Sequence, residues 1–350
     1  MQEAKKYLNL LYNIIYNNIR KAKNMKLQIL VPQYKETDAI IRPLLDSIEI
    51  QQNVDLKNEV GVIIVNDGTD VHLSQEFLDR YTYHIDYYFN EHKGVSATRN
   101  ACLDHATADY VMFCDADDMF YNACGLYIIF REIENGGFDS LVSAFIEESR
   151  MPGTKEPLYI NHDMDSTFVH GKVHRRKYLI DNNIRWNDKL TIHEDSYFNC
   201  LCQKLAKELK YCQTPFYLWK WRDDSVCRND FKYILKTYNN MLDSNEALVD
   251  EFLSRRRKED AQFYSTSMIF DAYFTMNKAE WINQENKEYR DATERRFKDY
   301  YLKFKHLYDT IPADAKAQII MSIKNRMYGE GLLMESITFE DWIKKVEDLK

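Results

Sequence analysis

This chain of 350 residues is informative first in what it lacks. It has no Cys-x-x-Cys pair. Its seven cysteines, at 102, 114, 124, 200, 202, 212 and 227, are odd in number, and several lie in apolar runs. That argues against a disulfide framework and for a reduced chain with buried thiols. Cys200-x-Cys202 with Cys212 fits no common zinc spacing. There is no Gly-x-Gly-x-x-Gly and no Walker loop, so neither a dinucleotide dehydrogenase nor a P-loop NTPase is indicated. No window reaches the roughly 18 apolar residues of a membrane span, and the Asn- and Lys-rich start carries no secretion signal. Positive charge is not in excess. The net charge of −8 gives no strong nucleic-acid signal, although a local basic patch is compatible with it. The expected location is the cytoplasm, with a peripheral place at the inner membrane surface left open. No internal repeat stands out.

What is present suits a large domain with a smaller one beside it. Hydrophobic residues make up 45% of the chain, enough to fill a real core. The 25 tyrosines suit helix packing seams or, alternatively, stacking on sugars or bases. In residues 1–24, Leu8, Leu11, Ile15 and Ile19 recur at helical spacing. This amphipathic helix is expected to pack on the domain or a second subunit, or to lie on a membrane surface.

Strand and helix then alternate. Leu27–Val31 reads as a strand closed by Pro32. A helix is expected over 37–50, starting late or kinking at Pro43. Val60–Val65 is a buried strand, 74–80 a short helix, Ile85–Phe89 a strand, Val95–His105 a helix and Tyr110–Cys114 a strand. This order predicts an α/β fold: a mostly parallel sheet with helices on both faces. It occupies residues 25–230, and an α-helical C-terminal region follows over 231–350.

The fourth strand stops in Cys114-Asp115-Ala116-Asp117-Asp118. Side chains alternate along a strand, so Asp115 and Asp117 point the same way at its tip. Open α/β sheets bind ligands outside the carboxyl ends of their strands. An acidic pair there suits a hard divalent cation, Mn²⁺ or Mg²⁺, shared with a substrate diphosphate. Asp67 sits in an Asp-Gly turn after the second strand, where it can accept hydrogen bonds from a base or ribose. Lys93 and Gly94 lead into the helix that carries Arg99, a setting that favours phosphate.

Four segments, in this order and at these separations, resemble family-2 glycosyltransferases. They are Val31-Pro32-Gln33-Tyr34-Lys35-Glu36, Val65-Asn66-Asp67-Gly68-Thr69-Asp70, Lys93 to Asn100, and Phe113 to Asp118. The resemblance covers about residues 26–228. It implies a GT-A (Rossmann-like) fold, a nucleotide-sugar donor, a divalent metal and inversion at the anomeric carbon. Asn66 departs from it, since the family usually has Asp there, and Lys35 stands where Asn is common. The resemblance implies donor contacts from Pro32, Tyr34, Glu36, Asp67, Lys93, Arg99, Asp115 and Asp117. Tyr34 and Asp67 would flank the base, Asp115 would reach ribose or metal, and Asp117 would hold the metal.

Ile192-His193-Glu194-Asp195 is similar to the family's Glu-Asp motif, which opens a helix over the acceptor. Acids in a first helical turn are also favoured by the dipole alone. The resemblance makes Asp195 the expected catalytic base, with Glu194 orienting the acceptor. Trp219 to Arg228 resembles the mobile segment after that helix, so Trp221, Arg222, Ser225 and Arg228 are expected at the acceptor or diphosphate. His170, His174 and His193 are candidate further metal ligands.

The expected activity is transfer of a sugar from a nucleotide-sugar, a UDP-sugar first, to a hydroxyl of a glycan or surface polysaccharide. Alternative acceptors are a hydroxylated nucleic-acid base, a protein or a teichoic-acid-like polymer. A non-catalytic nucleotide-sugar-binding protein is the alternative of another class. A nucleotidyltransferase would want a glycine-rich loop after the first strand, where Pro32 to Glu36 stand. The Arg255-Arg256-Arg257-Lys258 run reads as a solvated face or a contact for a polyanion. The N- or C-terminal helices are candidates for homo-oligomer contacts.

Overall fold

The computed structural model describes residues 25–151, 153–163, 165, 167–223, 233–329 and 337–349. The N-terminal amphipathic stretch lies outside the described residues, as do Ser225 and Arg228. The chain divides into two compact units between Asp223 and Asp224.

The first unit is built on one sheet. Its strands are β1 (Leu27–Gln33), β2 (Val60–Asp67), β3 (His84–Asn90), β4 (Tyr110–Phe113), β5 (Met119–Phe120), β6 (Ser140–Arg150), β7 (Pro157–His162), β8 (Lys172–Arg175) and β9 (Leu209–Trp219). Their order is β3-β2-β1-β4-β8-β6-β9-β5, with β7 paired to β6. The first four strands are parallel. β2 and β4 are buried at every position, as expected for strands covered on both faces. Beyond β4 the sheet is mixed: β8 runs antiparallel to β4 and β6, while β6 and β9 are parallel.

Helices α1 (Asp38–Glu49), α2 (Leu56–Glu59), α3 (Gln75–Leu78) and α4 (Val95–His105) link the parallel strands, α5 (Gly125–Glu134) follows β5, and α6 (Arg176–Asp181) and α7 (Glu194–Leu205) lie between β8 and β9. α1 buries Ile41, Leu44, Leu45 and Ile48, the one-sided stripe that period 3.6 dictates. It runs through Pro43 and starts at Asp38, so the proline does not set its beginning.

Two local differences from the sequence reading position the site. β1 continues through Pro32 to Gln33. Its pairing with β4 ends at Leu30–Phe113, whereas its pairing with β2 continues to Gln33. Pro32 therefore sits where no β4 partner asks for an N–H. Because β2 and β3 build outward on one side of β1 and β4 on the other, the strand order reverses between β1 and β4. A crevice opens at such a switch point, at the carboxyl ends of the strands. The second difference is β5, which pairs with β9 through Met119–Leu218 and Phe120–Tyr217. That pairing carries residues 219–222 back beside the acid turn.

The second unit is helical among its described residues: α8 (Tyr233–Ser254), α9 (Lys258–Met276), α10 (Ala279–Ile282), α11 (Lys287–Asp309), α12 (Ala313–Gly329) and α13 (Phe339–Glu347). Its core is aromatic, with Tyr238, Tyr273, Trp281, Phe297, Tyr300 and Trp342 buried. Here tyrosines pack as seam residues with bonded hydroxyls, as Tyr300 does on Asn245 at 2.5 Å. Arg255 pairs with Glu251 at 2.7 Å and Arg257 with Asp260 at 2.5 Å, the pattern of a surface turn between two helices.

Candidate active site

The site lies at the mouth of the β1–β4 crevice, and one buried guanidinium organises it. Arg99 projects from α4 and is 3% exposed. Its Nη1 donates to Asp195 Oδ1 at 2.7 Å and Glu194 Oε1 at 3.1 Å, and its Nη2 donates to Asp115 Oδ1 at 2.9 Å. Trp186 closes the other side, with its ring 4.4 Å from the guanidinium carbon and stacked on Phe198. Burial works against a charge here, but Asp195, Asp115 and Glu194 outweigh it and hold the arginine firmly protonated.

Glu194 and Asp195 open helix α7 (Glu194–Leu205), where the dipole favours acids. The residue before them, His193, adopts a left-handed backbone with φ 62°. This conformation is uncommon for a non-glycine residue. Asp195 Oδ2 accepts the backbone N–H of Val169 at 3.1 Å, so both its oxygens are held. Burial raises the pKa of both acids. For Glu194 burial and Asp195 together push it up to about 7.

Asp115 begins the turn after β4. Burial would raise its pKa, but Arg99 and His170 hold it below the ordinary value. Asp117 accepts from Arg222 Nη1 at 2.9 Å, and the same nitrogen lies 3.7 Å from Glu36 Oε1. Glu36 in turn caps the loop after β1, accepting from the N–H groups of Tyr34 and Lys35. Asp118 is 1% exposed. It accepts from the Tyr217 hydroxyl at 2.5 Å and the Lys220 N–H at 2.9 Å. Burial and the two neighbouring aspartates push its pKa well up.

Among the described residues, Asp115, Asp118 and His170 form one group with ligand atoms all within 4.8 Å of one another. Two carboxylates and an imidazole are a donor set able to hold a divalent cation. Asp117 stands outside that group, on Arg222, so the two acids singled out together in the sequence have different partners. Of the three candidate histidines, only His170 joins it. His174 is buried against Phe198 and bonded to Ser140 Oγ at 2.9 Å, and burial holds its pKa down at about 3. His193 starts α7 instead.

Asp67 does something other than wait for a ligand. Its Oδ1 accepts from Lys93 N at 2.9 Å, and its Oδ2 accepts from Gly94 N at 3.1 Å and bonds His92 Nδ1 at 2.9 Å. The carboxylate thus fixes the loop before α4. Gly68 beside it has φ 69°, and a Cβ there would meet His92 N at 2.3 Å, so this turn requires glycine. His92 stacks on Tyr34 with centroids 4.9 Å apart. Lys93 turns its ammonium toward Glu91 at 3.6 Å. Asn66 also has a physical reason: its amide donates to Gln33 Oε1 at 2.7 Å and Val71 O at 2.9 Å, bonds that an aspartate cannot donate. Trp221 Nε1 donates to Asp223 Oδ1 at 2.9 Å, and Arg150 lies over its ring at 5.2 Å.

Sequence reasoning missed Trp186, Val169 and Tyr217. Asp118 lay inside the quoted motif without a role of its own. None of the other three carries a local signal, because each matters through a partner distant along the chain.

A parallel half joined to a mixed half, with carboxylates at the junction, is the GT-A arrangement found in glycosyltransferases, and this is the fold class of the chain. Its residues 28–202, half of the chain, match the model of Glycosyl transferase family 2, and it belongs to that family. It is similar to glycosyltransferase GlyA of Streptococcus pneumoniae, at 27% identity over 228 residues. It is also similar to the minor teichoic acid biosynthesis protein GgaB of Bacillus subtilis, at 24% over 253 residues. These matches take in 58% and 64% of this chain but 32% and 27% of those proteins, so it spans about a third of their length or less. In fold it is similar to S. aureus TarS residues 1–349 in complex with UDP, with a TM-score of 0.58 at 18% identity, covering 79% of this chain and 80% of that one. The TarS complex with UDP-GlcNAc gives a TM-score of 0.59 with the same coverage. Among the described residues no helix is long and apolar enough to cross a membrane.

Proposed function

We propose that this chain is a metal-dependent, inverting glycosyltransferase that moves a sugar from a UDP-sugar to a hydroxyl of a surface polysaccharide or teichoic-acid-like polymer. The observation that carries this reading is the shared guanidinium of Arg99. It ties Asp115, on the donor side, to Asp195, on the opposite wall, so the two carboxylates cannot drift apart. UDP is favoured because TarS, the shared fold, is known with UDP and UDP-GlcNAc. The acceptor class is favoured by the likeness to GgaB.

Asp115 and Asp117 would hold Mn²⁺ or Mg²⁺ against the diphosphate. Asp117 is preferred to Asp118 because its partner, Arg222, is a side chain at the mouth that can move. Asp118 is 1% exposed, and so less open than Asp117 to a cation shared with a diphosphate. The grouping of Asp115, Asp118 and His170 supports a second ligand set. When bound, the metal supplies charge stabilisation for the leaving diphosphate. Asp195 accepts the proton of the acceptor hydroxyl as its oxygen bonds to the anomeric carbon. The bond from that carbon to the diphosphate oxygen breaks with its electron pair, and the sugar inverts. Arg99 and the Val169 N–H hold that carboxylate in place. Glu194 orients the acceptor, Tyr34 and His92 present a flat face to the base, and Arg222 exchanges Asp117 for phosphate. We also place the catalytic domain at 25–230 and a separate helical domain at 231–350.

The test is a thermal-shift panel of UDP-, GDP-, CDP- and TDP-sugars with and without Mn²⁺, followed by Asp195→Asn. A donor that binds only the folded state raises apparent stability. Stabilisation by a UDP-sugar with Mn²⁺, with transfer lost in Asp195→Asn and donor binding kept, is expected. No shift with any donor would favour a protein that does not bind nucleotide-sugars, and full activity in the variant would remove Asp195 as base.

A further inference from the structure

Trp186 takes no part in the reaction described above, yet it touches three elements that lead to the charged groups of the site. It is 2% exposed, on the stretch between α6 and α7. Its ring stacks on Phe198 of α7, with centroids 4.1 Å and planes 6° apart, and meets Phe113 of β4 edge-on at 5.1 Å. The Arg99 guanidinium of α4 lies 4.4 Å from the same ring. Phe198 is one helical turn beyond Asp195, and Phe113 is the last residue of β4, just before the Asp115 turn.

The indole is delivered by the helix that carries the arginine. Asn100, the next residue on α4, donates from Nδ2 to Trp186 O at 2.9 Å and accepts at Oδ1 from Trp186 N at 3.0 Å. Arg185 forks on Asp104 of the same helix, at 2.6 and 2.8 Å. One side-chain amide thus fixes the Trp186 backbone to α4, and ring and cation share a frame. The three carboxylates hold only the two terminal nitrogens of Arg99. Among the described residues its Nε is buried with no hydrogen-bond partner, and so is the Trp186 indole nitrogen. Burying that indole N–H has a cost that a phenylalanine would not carry. The tryptophan offers the best face of any side chain for a cation.

We infer that Trp186 is a positioning residue for the transferase: its ring fixes the tilt of the Arg99 guanidinium and, through it, the place of the Asp195 carboxylate. The inference rests on the reading of Asp195 as base. The need for such a support follows from the hydrogen bonds. Arg99 Nη1 is shared between Asp195 and Glu194, so a small turn of the guanidinium changes which acid it holds closer. The carboxylates pull on the nitrogens, whereas the ring bears on the central carbon. Because the same ring stacks on α7, it also ties that carbon to the helix of the base. Misplacing a reacting group by about 1 Å costs on the order of 10²-fold in rate.

The test measures UDP release to water or glycerol from UDP-glucose, UDP-galactose, UDP-GlcNAc and UDP-GalNAc with Mn²⁺, using full-length parent, Trp186→Leu, Trp186→Phe, Asn100→Ala and Asp195→Asn. Rates are expressed per folded molecule from melting curves. Trp186→Leu is expected to lower kcat about 10-fold or more while the donor KM stays within about threefold. Trp186→Phe keeps an aromatic face and is expected to retain at least about threefold more kcat than Trp186→Leu. Asn100→Ala frees the Trp186 backbone without touching the ring, and is expected to lower kcat with KM kept. It gives the reading if the leucine variant does not fold. Parental kcat in Trp186→Leu or Asn100→Ala, or equal losses in the Leu and Phe variants, overturns the inference. If Asp195→Asn is fully active, or the parent releases no UDP from any donor, the base or transferase reading fails and the inference falls with it. If Asp195→Asn is inactive while Trp186→Leu keeps parental kcat, only the role of Trp186 falls.

Discussion

Arg99 Nη1 lies 2.7 Å from Asp195 Oδ1 although the two residues are 96 positions apart. This contact joins α4, which follows the loop fixed by Asp67, to α7, which carries the Glu-Asp pair. It makes Arg99 an internal counter-ion rather than a surface hook for phosphate.

Removing that counter-ion leaves three carboxylates without their shared partner. Arg99→Met is therefore expected to destabilise the first unit by about 3–5 kcal/mol, the range for breaking a buried ion pair. Arg99→Lys is expected to cost less, yet more than a surface change, because it keeps the charge but loses the fork. Urea unfolding of both variants, followed by tryptophan fluorescence, measures the difference. An unchanged midpoint in Arg99→Met would show that the network is not stabilising.

The two ligand sets for the metal separate cleanly. If Asp115 and Asp117 hold it, Asp117→Ala loses Mn²⁺-dependent stabilisation by UDP and His170→Ala keeps most of it. If Asp115, Asp118 and His170 hold it, the outcome reverses. Calorimetric titration of Mn²⁺ into the UDP-loaded variants reads this directly. We expect the first pattern.

Arg222 Nη1 donates to Asp117 Oδ2 at 2.9 Å. A guanidinium at that carboxylate competes with a cation for it. Arg222→Ala should bind Mn²⁺ more tightly than the parent without nucleotide, by about threefold to tenfold, the equivalent of ~1 kcal/mol for a half-exposed pair. With UDP present the order should invert, because the phosphate partner is gone. Weaker Mn²⁺ binding in both states would remove the exchange role.

Glu194 gives a pH signature. Its carboxyl pKa is raised in the folded protein to about 7, by burial and then by Asp195, from an ordinary value of 4.5. The folded state therefore holds this proton more tightly than the unfolded chain. Its stabilising share is fully present below pH 4.5 and is lost as pH rises through 7. Glu194→Gln cannot lose a proton, so its stability should fall less between pH 5 and pH 7.5. The expected difference is on the order of 1–3 kcal/mol. Parallel slopes in denaturant melts across that range would show that Glu194 is not perturbed.

Much of this protein was legible in its order of residues. The βα alternation, the strand tips at Asp67 and Asp115 and the first-turn acids at 194–195 follow from period and local chemistry. α4 has the boundaries the sequence indicates, Val95–His105. Local rules served less well at Pro32 and Pro43. At Pro32 the missing N–H is tolerated because the β4 pairing has already ended, which is a tertiary fact. Asp67 shows the same limit. Its residue type and turn were readable, but three N–H groups from residues 92–94 converge on it only after β2 and β3 have paired.

By itself, then, the sequence determined the family, the parallel half of the sheet and the positions of the acids, because each depends on residues close together in the chain. The tertiary structure decided which charge meets which. Asp115 and Asp117 sit two residues apart, yet one pairs with Arg99 and the other with Arg222, because α4 and the end of β9 approach the strand tip from different sides. Alternation along a strand sets where a carboxylate points. Its partner, and with it its charge and its chemistry, is set by the strand pairings that bring residues 99, 170, 195 and 222 to one crevice.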